Sequence, residues 1–204
     1  MPLYRDFSDE RATILVWKYD VNDNLAPEYI LTKEERKKVE EYHPIKRLEF
    51  LMVRKLLKTV LPDAQIDYDG RQPFVVGKNI EISITHSFPY AAIGLSPKKI
   101  GIDMERFRPK ILLIKDKFVY ENERYFIPAD KEEVFYTIIW SVKESMYKLH
   151  HSKYWSLKKN YEVKPFELKH LSNIHCRVYD SEFSDEMKAR VEFFDDLCFT
   201  IVEM

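Results

Sequence analysis

Residues 100–105 read IGIDME, and this stretch decides how the second half of the chain is built. Apolar and polar side chains alternate in it with a period of two, which is typical of a β-strand. Asp103 and Glu105 then lie on one face of the strand, and Ile100, Ile102 and Met104 lie on the other. We therefore expect the apolar face to be buried and the two acids to face outward.

Residues 140–148 read WSVKESMYK, and the spacing of apolar residues around them predicts a helix over about 131–150. Positions four residues apart are neighbours on a helix, so Trp140, Glu144 and Lys148 form one row. We expect Lys143 to share the polar side of the helix with this row, and Trp140 to pack between the two halves of the protein. The row brings a carboxylate and an ammonium group to one point.

Three carboxylates, those of Asp103, Glu105 and Glu144, are therefore candidates for one metal site. Oxygen ligands without His or Cys favour Mg²⁺ or Mn²⁺. Mg²⁺ takes few carboxylates and completes its coordination with phosphate and water. The pattern thus predicts a metal ion that acts on a phosphate-bearing substrate.

The composition of the 204 residues limits the kind of protein further. Hydrophobic residues make up 45% of the chain and the net charge is −1, which argues against disorder and against a general nucleic-acid-binding surface. The two cysteines, Cys176 and Cys198, lack histidines at metal-ligand spacing and indicate a reduced, cytoplasmic protein. The sequence contains no run of apolar residues long enough for a membrane span, and its start is unlike a signal peptide.

Both halves of the chain show a strand, then helices, then further strands. A Thr32 cap with Glu35 three residues later marks the start of one helix. The predicted strands lie at 12–20, 79–85, 90–96, 99–105, 174–180, 189–195 and 197–203, and the predicted helical segments at 31–42, 46–61, 115–127 and 131–150. We expect the strands at 79–85, 90–96 and 99–105 to be consecutive and antiparallel. The order predicts a pseudo-two-fold α+β protein, with halves 1–98 and 99–204 that each pack helices on a small antiparallel sheet and with the site in the cleft between them.

Several segments of the chain match the motifs of one family in order and spacing. The run at 101–105 fits G-x-D-x-E, and the run at 140–148 fits W-x-x-K-E-[AS]-x-x-K. ISITHS at 82–87 is similar to the family's N-[IV]-S-H-S strand end, DGRQPF at 69–74 to its G-[KR]-P turn, and KRLEFLMVRKLL at 46–57 to its R-x-x-x-x-x-x-R helix. With matches from about residue 46 to 160, the chain resembles the 4′-phosphopantetheinyl transferases of the surfactin-synthetase-activating type.

This resemblance implies an enzyme that binds coenzyme A with Mg²⁺, or Mn²⁺, on its pyrophosphate. Such an enzyme moves the phosphopantetheine arm onto a serine of an apo acyl or peptidyl carrier protein and releases adenosine 3′,5′-bisphosphate. By matching position, Asp103, Glu105 and Glu144 hold the metal, Glu144 also takes the serine proton, and Lys148 neutralises the leaving phosphate. The residues implied to contact the 3′-phosphate and the adenosine are Arg47, Arg71, Thr85 and a protonated His86.

The chain departs from the family pattern after Lys148. The family has a glycine-containing turn there, whereas this chain reads LHHSKYWSL and has no glycine throughout 102–204. Either residues such as His151, Ser152 and Lys153 build the turn, or the loop has a different shape. We expect His150 and His151 to lie at the loop surface. Of the acids at 121 and 123, we favour Glu123 over Glu121 as a helper of the metal or the base.

Two other functions are compatible with clustered carboxylates. A metal-dependent phosphodiesterase or nuclease would need a basic groove, of which the near-neutral chain gives little sign. A non-catalytic binder of coenzyme A or of a carrier protein would not need the full set of acids together with Lys148. The sequence favours a monomeric transferase, because both groups of predicted site residues lie in one chain.

Overall fold

The chain divides into two units, Met1–Pro97 and Lys98–Met204. The structure is a computed structural model, and it describes residues 3–150, 153–154 and 156–204. Helices and antiparallel sheets occur in both units, which confirms the α+β class. The pseudo-two-fold relation between two halves stays a prediction.

From residue 3 onward, where its description begins, the first unit contains three helices and six strands. Its elements are β1 (Arg5–Asp6), β2 (Thr13–Lys18), α1 (Pro27–Ile30), α2 (Lys33–Glu40), α3 (Pro44–Val60), β3 (Ile66–Asp69), β4 (Gln72–Val75), β5 (Glu81–Ser87) and β6 (Tyr90–Ser96). An antiparallel sheet has the strand order β1-β2-β6-β5, and β3 and β4 form a separate hairpin. The predicted capping box of α2 is confirmed, because Thr32 and Glu35 each accept a hydrogen bond from the other's backbone.

The core of the first unit lies between α3 and this sheet. Met52 and Leu56 recur at helical spacing and are fully buried among Trp17 and Ile93 of the sheet. Each such side chain contributes about 1.5–3 kcal/mol through burial. This packing fixes the position of α3, from which Glu49 contacts His86 of β5 and Arg54 contacts Tyr68 of the β3–β4 hairpin.

The second unit carries most of the predicted chemistry. Its elements are β7 (Ile100–Arg106), α4 (Lys110–Ile114), α5 (Glu132–Leu149), α6 (Leu157–Asn160), β8 (Tyr161–Val163), β9 (Ile174–Tyr179), β10 (Ser184–Phe194) and β11 (Leu197–Glu203), with short 3₁₀ turns at Lys115–Lys117, Glu121–Glu123 and Ala129–Lys131. The antiparallel sheet has the order β7-β11-β10-β9-β8. Helix α5 packs on this sheet through Ile138, Val142 and Met146, which are fully buried.

Two sequence predictions about these elements were wrong. The strand at 99–105 does not pair with its sequence neighbour β6; as β7 it pairs with β11, because strands next to each other in sequence pair often but not always. The segment 115–127 is not a continuous helix but contains two 3₁₀ turns. Its apolar pairs at 118–119 and 126–127 are separated by YENERY, so no apolar stripe runs along it. Strands β1, β3, β4 and β8 were not predicted.

In the described part of the chain, no helix combines the length and the apolar character that crossing a membrane requires.

Candidate active site

Helix α5 lies directly on the face of β7 that carries Asp103. A Cβ atom placed on Gly101 would lie 2.0 Å from the backbone oxygen of Ser145, so only glycine allows this close approach. Asp103 is consequently only 5% exposed. The prediction that both acids face outward was therefore wrong for Asp103, because the polar face of the strand is covered by the helix.

Asp103 is held by two donors from α5. The Lys148 Nζ donates to Asp103 Oδ1 at 2.8 Å and to the Ile102 backbone oxygen at 2.9 Å. The Ser141 hydroxyl donates to Asp103 Oδ2 at 2.9 Å. The structure thus brings together Asp103 and Lys148, which the sequence placed 45 positions apart.

Glu105 is positioned by the indole of Trp140. Trp140 Nε1 donates to Glu105 Oε1 at 2.8 Å, and its ring packs edge-on against Phe118 with centroids 5.0 Å apart. The pKa of Glu105 is raised, mainly by burial and further by the negative charge of Asp103. Trp140 is thus more than a packing residue, since it orients one of the candidate carboxylates.

Among the carboxylates of this site, Glu144 has the most strongly raised pKa. Burial raises its pKa from 4.5 to about 7, and the charges of Asp103 and Glu105 act in the same direction while Lys148 opposes them. Among the described residues, no group donates a hydrogen bond to Glu144. A carboxylate with a pKa near neutrality is suited to accept a proton during catalysis. We call Asp103, Glu105, Glu144 and Lys148 the acidic cluster.

The acidic cluster meets the charge requirement of a cation site. The charge of Asp103 raises the pKa of Glu105, and the charges of Asp103 and Glu105 both raise the pKa of Glu144, while one ammonium group offsets only part of this negative charge. Asp103 accepts two hydrogen bonds and Glu105 accepts one, so lone pairs remain on both carboxylates. Within residues 3–150, 153–154 and 156–204, no three His, Cys, Asp or Glu side chains are arranged as a ready metal site. Metal binding by the cluster stays a prediction.

The sequence predicted that Lys143 lies on the polar side of α5, but its side chain is completely buried. Its Nζ donates to Glu123 Oε2 at 2.7 Å and to the backbone oxygens of Phe118 and Leu157. All three ammonium protons thereby have acceptors. The motif lysine is therefore a core residue, because a carboxylate and two carbonyls from other segments surround it.

Glu123 is the buried partner of Lys143 and is only 1% exposed. Its carboxylate also accepts from the backbone N–H groups of Val163 and Tyr120, at 2.8 and 2.7 Å. These bonds tie the turn at Glu121–Glu123 to α5 and β8. These contacts give Glu123 a structural role, whereas Glu121 is exposed to solvent. That Glu123 also helps the metal or the base stays a prediction.

The segment after Lys148 is fixed by side chains in place of glycines. Lys153 has a positive φ of 49° and its Nζ donates to the backbone oxygens of Tyr147 and Lys148, both at 2.7 Å. His150 is fully buried, 2.8 Å from Asp185 and stacked on Phe183, so its predicted surface position was wrong. His151 and Ser152 lie outside the described residues.

The first unit contains an open pocket of about 390 Å³, which we call the basic pocket. It lies between α2, α3, the β3–β4 hairpin and β5. Its lining includes four basic side chains: Lys38, Lys46, Arg71 and His86. Of the residues predicted to contact coenzyme A, Arg71 and His86 line this pocket, whereas Arg47 and Thr85 do not. Thr85 is buried on the opposite face of β5 from His86, because side chains alternate along a strand.

The electrostatics of the basic pocket favour an anion. The acid in its lining is Glu49, whose carboxylate lies 3.2 Å from His86 Nδ1. Within the described part of the chain, Lys38 and Arg71 form no ion pair. Lys46 lies over the ring of Tyr42, 4.5 Å from its centroid, and so keeps its charge beside an aromatic wall.

Arg54 supports the walls of the basic pocket from behind. Its guanidinium is 3.4 Å from the centroid of the Phe50 ring and donates to Glu35 at 2.9 Å and to the Tyr68 hydroxyl at 3.4 Å. Arg54 thus links α2, α3 and the β3–β4 hairpin. The motif helix 46–57 therefore contains an arginine that is buried and structural.

Sequence reasoning missed the hydroxyl groups behind Asp103. Ser141 and Ser145 lie four residues apart on α5 and face β7 and β11, where Thr200 contacts both. The spacing of the two serines in the motif was a signal that they share one face of the helix. Nothing in the sequence indicated that Thr200 lies opposite Asp103, because this position depends on the pairing of β7 with β11.

The raised pKa of Glu144 predicts a pH dependence of stability. Glu144 keeps its proton up to about pH 7 in the folded chain but releases it near 4.5 when unfolded. The unfolded state then binds fewer protons, so the free energy of unfolding falls as pH rises through this window, by about 3 kcal/mol. Urea unfolding from pH 4.5 to 8 measures this fall. Glu144→Gln, which does not titrate, should reduce it, and an identical pH profile in both proteins would contradict the assigned pKa.

Comparison with known proteins identifies the second unit. The family model of the 4′-phosphopantetheinyl transferase superfamily matches residues 99–202, which include all of the acidic cluster. No curated protein matches the chain.

Proposed function

The chain belongs to the 4′-phosphopantetheinyl transferase superfamily, and on that premise we propose that it loads apo acyl or peptidyl carrier proteins. It transfers 4′-phosphopantetheine from coenzyme A to a carrier serine and releases adenosine 3′,5′-bisphosphate, as the surfactin-synthetase-activating type does. The main support for this proposal is the raised pKa of Glu144, which lies near neutrality, together with the Asp103–Lys148 ion pair beside it. A proton acceptor and a cation at one place are what phosphoryl transfer to a hydroxyl requires.

Asp103, Glu105 and Glu144 would hold Mg²⁺, or Mn²⁺, in this proposal. Their oxygen atoms, mutual repulsion and free lone pairs support a hard divalent cation. When bound, the metal neutralises charge on the pyrophosphate of coenzyme A.

The reaction then needs one proton acceptor and one neutralising cation from the chain. The carrier serine oxygen forms a bond to the phosphorus that carries pantetheine, and Glu144 takes the serine proton. The bond from that phosphorus to the oxygen of the adenosine 5′-phosphate breaks, and the electron pair leaves with the oxygen. Lys148, which is 28% exposed while it holds Asp103, neutralises the leaving phosphate.

The basic pocket binds the 3′-phosphate and adenosine of coenzyme A in this proposal. Arg71 and His86 donate to the phosphate, and Lys38 and Lys46 add positive charge. Tyr42 and Phe50 in the lining provide aromatic surface for the adenine. Contacts from Thr85 and Arg47, which lie outside this lining, also remain part of the proposal.

One assay tests the proposed reaction. The chain is incubated with coenzyme A, Mg²⁺ and apo carrier proteins from fatty-acid, polyketide and nonribosomal-peptide systems, and intact carriers are weighed by mass spectrometry. We expect the mass of phosphopantetheine to appear on the carrier serine and adenosine 3′,5′-bisphosphate to appear in solution. Omission of the metal and a carrier with Ser→Ala at the acceptor serine are the controls. If every apo carrier keeps its mass, the proposed function is wrong.

Arg71→Ala should mainly weaken the binding of coenzyme A. A charged hydrogen bond to phosphate is worth about 1.5–3 kcal/mol, so we expect KM for coenzyme A to rise about 10–100-fold while kcat changes little. Steady-state kinetics measure both constants. Arg11→Ala, an exposed arginine of the same unit that pairs with Asp9, is the matched control.

Dephospho-coenzyme A, which lacks the 3′-phosphate, makes this test specific. Arg71→Ala should leave its KM unchanged, because the group that Arg71 contacts is missing. A normal KM for coenzyme A in Arg71→Ala would count against the phosphate role of the basic pocket.

We also propose that the protein acts as a monomer in the cytoplasm. Both the acidic cluster and the basic pocket belong to one chain, and neither cysteine forms a disulfide. Sedimentation at the concentration of the transfer assay measures the oligomeric state.

A further inference from the structure

Three buried hydroxyl groups lie in a row behind Asp103. Ser141, Ser145 and Thr200 are all completely buried. The Ser145 Oγ is 2.6 Å from Thr200 Oγ1, which is 2.9 Å from Ser141 Oγ, which in turn is 2.9 Å from Asp103 Oδ2. We call these three residues the hydroxyl chain.

The number of protons fixes the direction of the hydroxyl chain. A carboxylate only accepts, so the single Ser141 hydroxyl proton is used on Asp103. In the contact between Thr200 and the Ser141 hydroxyl, Thr200 must therefore be the donor. Its single proton is shared with the Ser141 backbone oxygen, which lies 3.0 Å from Thr200 Oγ1. With the Thr200 proton used, Ser145 is the donor to Thr200. All three hydroxyls thus donate toward Asp103, and such aligned bonds strengthen one another.

The hydroxyl chain joins the three elements on which the acidic cluster depends. Ser141 and Ser145 belong to α5, Thr200 belongs to β11, and Thr200 is the direct cross-strand partner of Asp103 on β7. Ser141 holds one carboxylate oxygen of Asp103 while Lys148 holds the other. With both oxygens held, the carboxylate has one orientation and keeps its remaining lone pairs in fixed directions.

We propose that the hydroxyl chain is a positioning device that aims the Asp103 carboxylate at a divalent cation. This inference rests on the proposed function, because it takes Asp103 to be a metal ligand. Groups that orient a metal ligand change metal affinity by about 10–100-fold when they are removed. A hydroxyl chain that only filled the core would affect stability and leave the affinity for the cation unchanged.

Thr200→Val tests the inference with little change of shape, because valine replaces the hydroxyl by a methyl group. Mn²⁺ alone is titrated into the full chain, and free Mn²⁺ is followed by electron paramagnetic resonance. We expect the Kd for Mn²⁺ to rise about 10–100-fold in Thr200→Val and to return to within about twofold of the original value in Thr200→Ser, which keeps the hydroxyl. Ser141→Ala removes the donor to Asp103 itself and should raise the Kd at least as much, which keeps the test decisive if Thr200→Val does not fold.

Thr137→Val is the matched control. Thr137 is a buried residue of α5 whose hydroxyl donates to the Glu133 backbone oxygen, so its loss also removes one buried hydrogen bond. We expect it to lower the unfolding temperature and leave the Kd for Mn²⁺ unchanged. If the original chain binds Mn²⁺ and both Thr200→Val and Ser141→Ala bind it equally well, the inference is overturned while the proposed function stands. If the original chain binds no Mn²⁺, the metal site of the proposed function fails together with it.

Discussion

Replacing Glu144 by glutamine is expected to lower kcat for phosphopantetheine transfer by about 10²–10⁴-fold, the usual contribution of a general base. Glutamine has nearly the same shape but is unable to take the proton of the carrier serine. With a pKa of about 7, Glu144 is charged in about half of the molecules near neutral pH, and the charged form is the one that accepts the proton. Stopped assays with coenzyme A and an apo carrier protein, analysed by mass spectrometry, measure kcat.

Glu133→Gln is the control for Glu144→Gln, because it makes the same chemical change on the same helix. Glu133 lies in the first turn of α5, outside the acidic cluster. Its substitution should leave kcat within about twofold, since surface changes of this kind rarely alter the fold. A Glu144→Gln variant with the kcat of the original chain would exclude Glu144 as the base.

The pH dependence of kcat provides a second reading of the same residue. A base with a pKa of about 7 is protonated and inactive below that pH, so kcat should rise as pH increases toward 8. A bound cation favours the charged carboxylate and would move this rise to lower pH. In Glu144→Gln the residual activity should lose the rise, because the titrating group is gone.

The parts of the structure that sequence predicts well are those with strong periodicity. The alternation at 100–105 and the apolar spacing around 131–150 correspond to β7 and α5. Thr32 with Glu35 predicted the start of α2 because a capping box satisfies two backbone N–H groups through nearby side chains. These features depend on contacts within a few residues, which a single sequence records directly.

Features that depend on distant contacts were not predicted. A lysine beside a motif glutamate is typical of a polar helix face, yet Lys143 is buried because Glu123 and two backbone oxygens from other segments surround it. His150 is buried because Phe183 and Asp185 of the β9–β10 hairpin pack on it. Neither partner is near in sequence, so periodicity alone carried no information about them.

The same reasoning applies to the face of β7 that carries Asp103. Alternation correctly assigned Asp103 and Glu105 to one side, but it does not reveal that a second element covers that side. The clue was Gly101, which removes the side chain at the point where α5 crosses. The packing of α5 on β7 partly buries Glu105 on the strand and Glu144 on the helix, and this burial is the main cause of their raised pKa values.

Lys143→Met is expected to lower the free energy of unfolding of the second unit by about 3–5 kcal/mol. Methionine fills much of the same volume but leaves the Glu123 carboxylate buried without its cation, and breaking a buried ion pair has a cost of this size. Small units are stable by only about 5–15 kcal/mol, so the loss is a large fraction of the total. Urea unfolding followed by circular dichroism measures it.

The matched control is Lys115→Met, which breaks an ion pair at the surface of the same unit. Lys115 lies 3.1 Å from Glu132 and both side chains are partly exposed, so the expected cost is below about 1 kcal/mol. The double variant Lys143→Met with Glu123→Leu should recover much of the stability, because it removes both charges from the core. Equal losses in Lys143→Met and Lys115→Met would contradict the structural role of the buried pair.

The cost of Lys143→Met should also depend on pH, and the sign follows from Glu123. Burial already raises the pKa of Glu123, while Lys143 holds it down. Without Lys143 the pKa rises further, so the folded variant keeps a proton that the unfolded chain releases as pH increases. The variant is therefore expected to be closest to the original chain at about pH 5 and furthest from it at about pH 8. A loss that stayed constant over this range would show that the pKa of Glu123 does not respond to the loss of Lys143, and would assign the destabilisation to packing alone.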